Sequence, residues 1–541
     1  FDYEWSPDGQ WFAIAKNDAY FASELYIVPV NGPTEANPAR NVTRFANYNG
    51  GVTWSKTGHK LAFVSRRRGD TQSAYVLSLQ KPLASGTASH KDIDWDGIHL
   101  RVKQPAPMSA RECAISSDGS KIAFRSTQDG DDLWVANSDG GQIVRVTTGN
   151  TKPTQIQWSK LFGSQIYFRD VNGNVRTANV GANATPGNQT AVIPFIARMN
   201  VHRDDQFGEV FDQSWRALND SFYDPAFHGA NWRELRDRFR PMLRHIAMKE
   251  DLYHLIYLML GELNASHLGI SGNLGAPEQV TADLGLIFDP RYRGPGLKIA
   301  EILKHGPADQ RGIKLKEGDV ILSIDGALLD GKVDPAVLLN DKVNETVALM
   351  VTSNADDPRG KRRLELKAAA RPAIHELHYQ RWLDRNAEQV RRLSNGKLAY
   401  IHIPSMDEAG VDRFLRALYS EAFDKEGIVL DVRFNGGGFT HETILNYLLG
   451  KEHTKFAQRN GEPGLALNSG DRKWTKPITL IINNRSYSDA EIFPHAFREH
   501  GLGKLVGQPT GGMVIGTRNI GLIDGSLFRT PRIGVTTNKG V

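Results

Sequence analysis

Two short segments place chemically able residues at the ends of apolar runs. In LIINNRSYSDAEIF, residues 480–493, the apolar run gives way to a polar turn and then a helix-like pattern, so Ser488 sits where a buried strand becomes a helix. A hydroxyl at that point is exposed and surrounded by the N–H groups of the helix start. Ser488 and Glu491 fit a Ser-x-x-Glu capping box. The same strand-turn-helix geometry serves the nucleophile elbow of hydrolases, although GxSxG is absent. In DVRFNGGGF, residues 431–439, three successive glycines follow the apolar run GIVL. Glycine costs conformational entropy, so a position tolerant of a side chain would not favour three of them. Two readings remain, a flexible loop or a stretch of bare N–H groups that approach a ligand closely, as an oxyanion hole requires. A phosphate loop is disfavoured, because no Gly-Lys-Ser/Thr follows.

The elements that must position these segments follow from periodicity. KLAYIHIP, GIVLDVRF and KPITLIINN are short apolar runs separated by helical stretches, which predicts a layered α/β domain over 373–541 with a mostly parallel buried sheet. Reactive groups in such sheets belong at the carboxyl ends of the strands. Residues 276–371 read as a small β-rich unit around one short helix. Over 200–275 the apolar period is helical, through Phe211, Trp215, Leu218, Phe222 and then Leu252, Leu255, Ile256, Met259 and Leu260. Residues 1–195 repeat one plan: YEWSPDGQWFAIAK, VTWSKTGHKLAFVSRR and CAISSDGSKIAFRST, with TQIQWSKLFGSQIYFRD as a longer echo. The turns begin at Ser6, Ser55, Ser116 and Ser159. A period of about 40–60 residues with period-2 alternation predicts β-propeller blades, with Trp5, Trp54 and Trp158 in blade cores.

Composition sets the bounds. A chain of 541 residues predicts three or four domains at about 100–200 residues each. A formal charge of +5 is small beside 66 basic and 61 acidic side chains, which argues against a nucleic-acid partner. The sole cysteine, Cys113, leaves no internal disulfide and no cysteine metal cluster, and it reads as a small core residue. No apolar run of about 18 residues is present to span a membrane. Phe1 opens inside a strand-like pattern and TTNKGV closes without a further element, so the sequence is expected to be a fragment without a readable signal segment.

NNRSYSDAEIFPHAFREHGLGKLVGQPTGG together with DVRFNGGG closely resembles the tricorn protease family, with the C-terminal processing peptidases as more distant relatives. The resemblance covers nearly the whole chain. It implies a multidomain order of partial β-propeller, helical segment, PDZ-like domain and an α/β catalytic domain similar to the crotonase and Clp-protease fold. It further implies Ser488 as nucleophile, with the N–H groups of Asp489 and of Gly437 or its neighbours, Gly438 included, as the oxyanion hole. His267, in Ser266-His267 of NASHLG, matches the family's general base, with Ser266 orienting or supporting it. Without the match, none of the 16 histidines could be chosen. C-terminal processing peptidases use a lysine in a Thr-x-Gly-Lys context; here Thr510-Gly511-Gly512 is followed by Met513, which cannot accept a proton. The Glu that orients the family's histidine has no match before Val541.

These residues imply a serine peptidase acting on oligopeptides or unfolded polypeptides, with no metal or organic cofactor. The rivals are a non-catalytic peptide-binding scaffold on the same fold and an acyl-CoA or ester hydrolase. TADLGLIFD in the PDZ-like unit is similar to a carboxylate-binding loop, although a bracing module explains it equally. The resemblance also implies a hexamer and a cytoplasmic location, while the expected missing N-terminus leaves export open. Side-chain preference is not legible.

Overall fold

A computed structural model describes residues 2–17, 22–45, 48–68, 71–81, 93–160, 163–180, 190–272, 274–275, 279–354, 360–457, 459, 463–468 and 473–540. The chain divides into two compact units, 1–199 and 200–541.

The first unit is built of four antiparallel sheets, each of four strands paired in chain order. The repeated serines explain the repeated plan. Ser6, Ser55 and Ser116 each accept, on the hydroxyl, the N–H of the residue five positions on (Trp11, Lys60 and Lys121), which closes the hairpin. Gly9, Gly58 and Gly119 take the positive φ that the turn requires. Apolar cores lie between successive sheets, as blade packing in a β-propeller demands: Val64 and Val76 of the second sheet meet Ile115 and Phe124 of the third. Cys113 is buried in that core. Trp54 and Trp158 are buried, whereas the expected core residue Trp5 is 51% exposed. Trp5 ends the outer strand of the first sheet and packs its ring, tilted, on Phe12 of the next strand. Trp158 differs because its indole N–H reaches across to Ala114 of the sheet before it.

The second unit holds three cores. A small β-rich core is a sheet of strands Leu286–Phe288, Leu297–Ile302, Val320–Ile324, Thr346–Thr352 and Arg362–Lys367. The short helix expected there is replaced by two single 3-10 turns, Pro307–Asp309 and Val337–Leu339. Pro307 starts the first turn, a position where its missing N–H costs no helical bond. In the stretch read as a carboxylate-binding loop, the Gly285 N–H is already donated to Asp283.

The α/β core is a four-stranded parallel sheet in chain order: Leu398–His402, Gly427–Asp431, Ile478–Ile482 and Gly503–Gly507. Helices Glu408–Tyr419, His441–Leu448 and Asp489–Glu499 cover it, which is why GIVLD and ITLII are apolar on both faces. The two middle strands are neighbours, with Asp431 opposite Ile481. The glycine segment and the serine turn therefore leave the same sheet edge side by side.

In the third core, helices Arg203–Asn219, Trp232–Phe239 and Lys249–Gly261 pack on a sheet of Gly269–Ser271, Leu527–Gly534 and Ile515–Gly521. Asp204 and Asp205 in its first turn and Arg216 in its last suit the dipole of the first helix. Ile270 and Phe528 face these helices. Among the described residues, no helix is long and apolar enough to cross a membrane. Phe528 is fully buried at the joint between the helices and the C-terminal hairpin, so Phe528→Ala is expected to cost about 3–5 kcal/mol. The measurement is an earlier thermal transition of the whole chain, with Phe439→Ala, at an 87% exposed ring, shifting it little. Equal shifts would show that this core does not join the two segments.

Candidate active site

Ser488 has φ +57° and ψ −118°, a conformation that a side chain rarely adopts. It immediately precedes helix Asp489–Glu499 and is half-buried. Its surroundings over-determine the strained turn. The buried carboxylate of Glu491 accepts the Ser488 N–H at 3.0 Å, the Met513 N–H at 3.0 Å and the Gly512 N–H at 2.6 Å. The capping relation read from Ser-x-x-Glu is thus present on its glutamate side, and it extends to a second loop.

The glycine segment is laced to the same turn. Tyr487 N–H donates to the Asn435 carbonyl at 2.9 Å, Ser486 Oγ to the Val432 carbonyl at 2.9 Å, and Phe434 N–H to Asn483 Oδ1 at 3.2 Å. Gly437 has φ +88°, and a Cβ there would lie 2.7 Å from Ser488 Cβ and 3.0 Å from the Asp489 nitrogen. A Cβ on Gly438 would overlap the Met406 carbonyl. Close approach, rather than flexibility, therefore accounts for these two glycines. Gly437 N–H, expected as an oxyanion donor, is donated instead to Asn435 Oδ1 at 2.8 Å. Among the described residues, the N–H groups of Gly438 and Asp489 have no acceptor. The Asp489 carboxylate turns away from the serine, accepting the His441 N–H at 3.1 Å and lying 2.5 Å from His441 Nδ1. The alignment of that imidazole contact is outside hydrogen-bond geometry.

His267 is buried, has φ +63°, and packs its ring on Tyr487, the residue before Ser488, with centroids 4.6 Å apart. Neither ring nitrogen has a hydrogen-bond partner, so no bond joins it to Ser488 in this structure. Burial and then the nearby Arg529 guanidinium push its pKa down to about 4, against smaller opposing contributions from the Met513 backbone and Glu491. The ring is neutral at pH 7 and available as an acceptor. Ser266 makes no hydrogen bond to the imidazole. Its hydroxyl donates to the Met513 carbonyl at 3.0 Å, because the ring is turned toward Tyr487. Met513 thus contributes its backbone to both sides of the site, while its side chain is half exposed. Among the described residues, no three of His, Cys, Asp and Glu are grouped to hold a metal.

Residues 203–261 match the tricorn protease C1 domain, residues 299–368 the tricorn protease PDZ domain, and residues 397–541 peptidase family S41. The chain is 24% identical over 584 residues to the tricorn protease homolog of Saccharolobus solfataricus, across 99% of this chain and 52% of the relative. It is 26% identical over 384 residues to the tricorn protease of Thermoplasma volcanium, across 68% of this chain and 36% of the relative. Across nearly its whole length the chain is similar to tricorn proteases. A crystal structure of the tricorn protease shares the fold, with a TM-score of 0.74 at 20% identity over 99% of this chain and 55% of that one. The chain spans about half the length of the first of these relatives.

Against this tricorn-like framework, four residues were not legible beforehand as parts of the site. Asn435 and Tyr487 lie inside the two motifs, but their roles are backbone contacts that no pattern marks. His441 could have been noticed as the first residue of a helix three positions past the glycines. Arg529 carries no local signal at all. Glu491→Gln would turn an NH2 group toward one of three N–H donors, a loss of about 1–3 kcal/mol at a buried site. It is expected to lower the melting temperature and to slow covalent labelling of Ser488 at least tenfold. Unchanged labelling would show that the clamp does not hold the serine in place.

Proposed function

We propose that this chain is a serine peptidase that hydrolyses peptide bonds of oligopeptides or unfolded polypeptides, with Ser488 as nucleophile and His267 as general base. The observation that carries this reading is a strained serine at a strand-helix turn, beside a buried, neutral imidazole whose nitrogens are both unpaired. Hydrogen bonds between base and nucleophile are commonly loose without substrate and tighten on binding. In the proposed reaction His267 takes the Ser488 proton as Oγ attacks the carbonyl carbon, gives it to the leaving amine as the peptide C–N bond breaks, and then takes a proton from the water that hydrolyses the acyl-enzyme. The Asp489 and Gly438 N–H groups receive the oxyanion. Gly437 acts by lacking a side chain where one would strike Ser488, since its own N–H is held by Asn435. Ser266 supports the base indirectly, by fixing Met513 above it. The S41 match over 397–541 supports the reaction class, and Met513 at the position of the processing-peptidase lysine supports histidine as the base.

A fluorophosphonate probe is expected to label the full chain at Ser488, with labelling lost in Ser488→Ala and reduced at least a hundredfold in His267→Ala. Labelling that survives Ser488→Ala would end the assignment, and no labelling of the intact chain would favour the peptide-binding scaffold. The pH profile follows from the depressed pKa of His267. Protonation of the folded protein near pH 4 removes the base, so the labelling rate should stay level from pH 8 to about 6 and fall with an inflection near 4. The unfolded chain, with an ordinary histidine near 6.5, binds this proton first. The associated stability is therefore present above about pH 6.5 and is lost as pH falls toward 4. An inflection at 6.5 would show that the ring is solvated.

A further inference from the structure

A cavity of about 670 Å³ adjoins both halves of the site. Leu268 and Gly269, which follow His267, line one side, and Phe439, which follows Gly438, lines another. Its floor is the outer face of the sheet that carries the histidine segment. Strand register places Gly269, Arg529 and Asn519 opposite one another in a single row across that face. Gly269 contributes no side chain there, and a Cβ on it would meet the Tyr257 hydroxyl at 3.2 Å, so Tyr257 walls that end of the row.

The charge of the cavity is one-sided. Arg518 and Arg529 line it, and no aspartate or glutamate does. Among the described residues, neither guanidinium has a carboxylate partner, although most arginines of the same unit that lie near an acid are paired with it. Arg529 Nε donates to Thr517 Oγ1 at 3.2 Å, a bond that orients the guanidinium and leaves its terminal N–H groups for a ligand. A guanidinium without an opposing acid suits a bidentate anion of carboxylate shape. The exposed Phe439 ring offers an apolar wall for the stem that would carry such a group.

We propose that this cavity binds a carboxylate of the peptide substrate near the scissile bond, with Arg529 as its anchor. This rests on the peptidase reading above for its substrate, but not for its charge selectivity. The carboxylate comes from an acidic side chain or from the C-terminus of the peptide, and the two sources are separable.

The test uses one peptide scaffold carrying Glu, Gln or Lys at each position flanking the cleaved bond, each made as a free acid and as a C-terminal amide. kcat/KM is measured on the full chain, and binding of the same fluorescein-labelled peptides is measured on Ser488→Ala by anisotropy. A charged hydrogen-bonded pair predicts a preference of about tenfold or more for Glu over Gln, and a larger one over Lys. If the free acids win irrespective of the side chain, the anchor reads the chain end. Arg529→Gln should flatten the preference and Arg529→Glu should invert it toward Lys, with melting temperatures confirming that both variants fold. Rates and affinities within twofold across the whole panel would overturn the proposal, as would an unchanged order in Arg529→Glu. Fluorophosphonate labelling keeps the two readings apart. A labelled chain indifferent to charge loses the pocket, whereas an unlabelled chain that binds carboxylate peptides selectively keeps the pocket and loses the peptidase.

Discussion

The carboxylate of Glu491, with three backbone N–H groups on its two oxygens, is the interaction on which the site depends. A serine at φ +57° and ψ −118° holds that conformation only if its neighbours leave no alternative. Glu491 removes the alternative locally by accepting the Ser488 N–H. Its other contacts reach Gly512 and Met513, and Met513 in turn accepts from Ser266. One buried acid thus fixes the serine and the loop against which the histidine segment rests. Few substitutions could replace it, because the partners are all donors and only an anion accepts from every one.

The parallel sheet supplies the remaining constraint. Adjacent strands of one direction end at one edge, so the segments after Asp431 and Ile482 meet without any long-range search. What lets them touch is the absence of Cβ atoms at Gly437 and Gly438, which brings one backbone against Ser488 and the other against Met406. Packing at that distance leaves the Asp489 and Gly438 N–H groups without acceptors, an unusual state for donors near a protein interior and a favourable one for developing negative charge. The same closeness explains why Gly437 itself is not a free donor. Asn435 is fully buried and satisfies its amide on Ile403 and Gly437, so the loop is locked from within.

Local patterns made much of this legible. GIVLD and ITLII read as buried strands because both faces are covered, and the serine repeats read as hairpins because each closes on itself within a few residues. The errors share a cause. Trp5 was grouped with Trp54 and Trp158 on sequence likeness, and all three end outer strands, but burial depends on what packs over a face: Trp158 reaches the sheet before it, whereas Trp5 is 51% exposed. The short helix of the PDZ-like unit dissolved into single turns at Pro307 and Val337 because helix length is set by surrounding packing. Ser266 is a different case: the resemblance assigned it to orient or support the base, and its hydroxyl lies on the Met513 carbonyl, far along the chain.

By itself the sequence determined the serine turn and the replacement of a lysine by Met513, and it left the glycine segment open between a flexible loop and bare backbone. Each is a property of residue type within a few neighbours. Only the tertiary structure decided that Glu491 clamps two loops and that His267 lies on Tyr487 with its nitrogens unpaired. It alone brought Arg529 to the floor beside the histidine. The reason is physical. Those facts depend on strands from distant parts of the chain sharing one sheet and one core, and no local period encodes which side chains that pairing brings face to face.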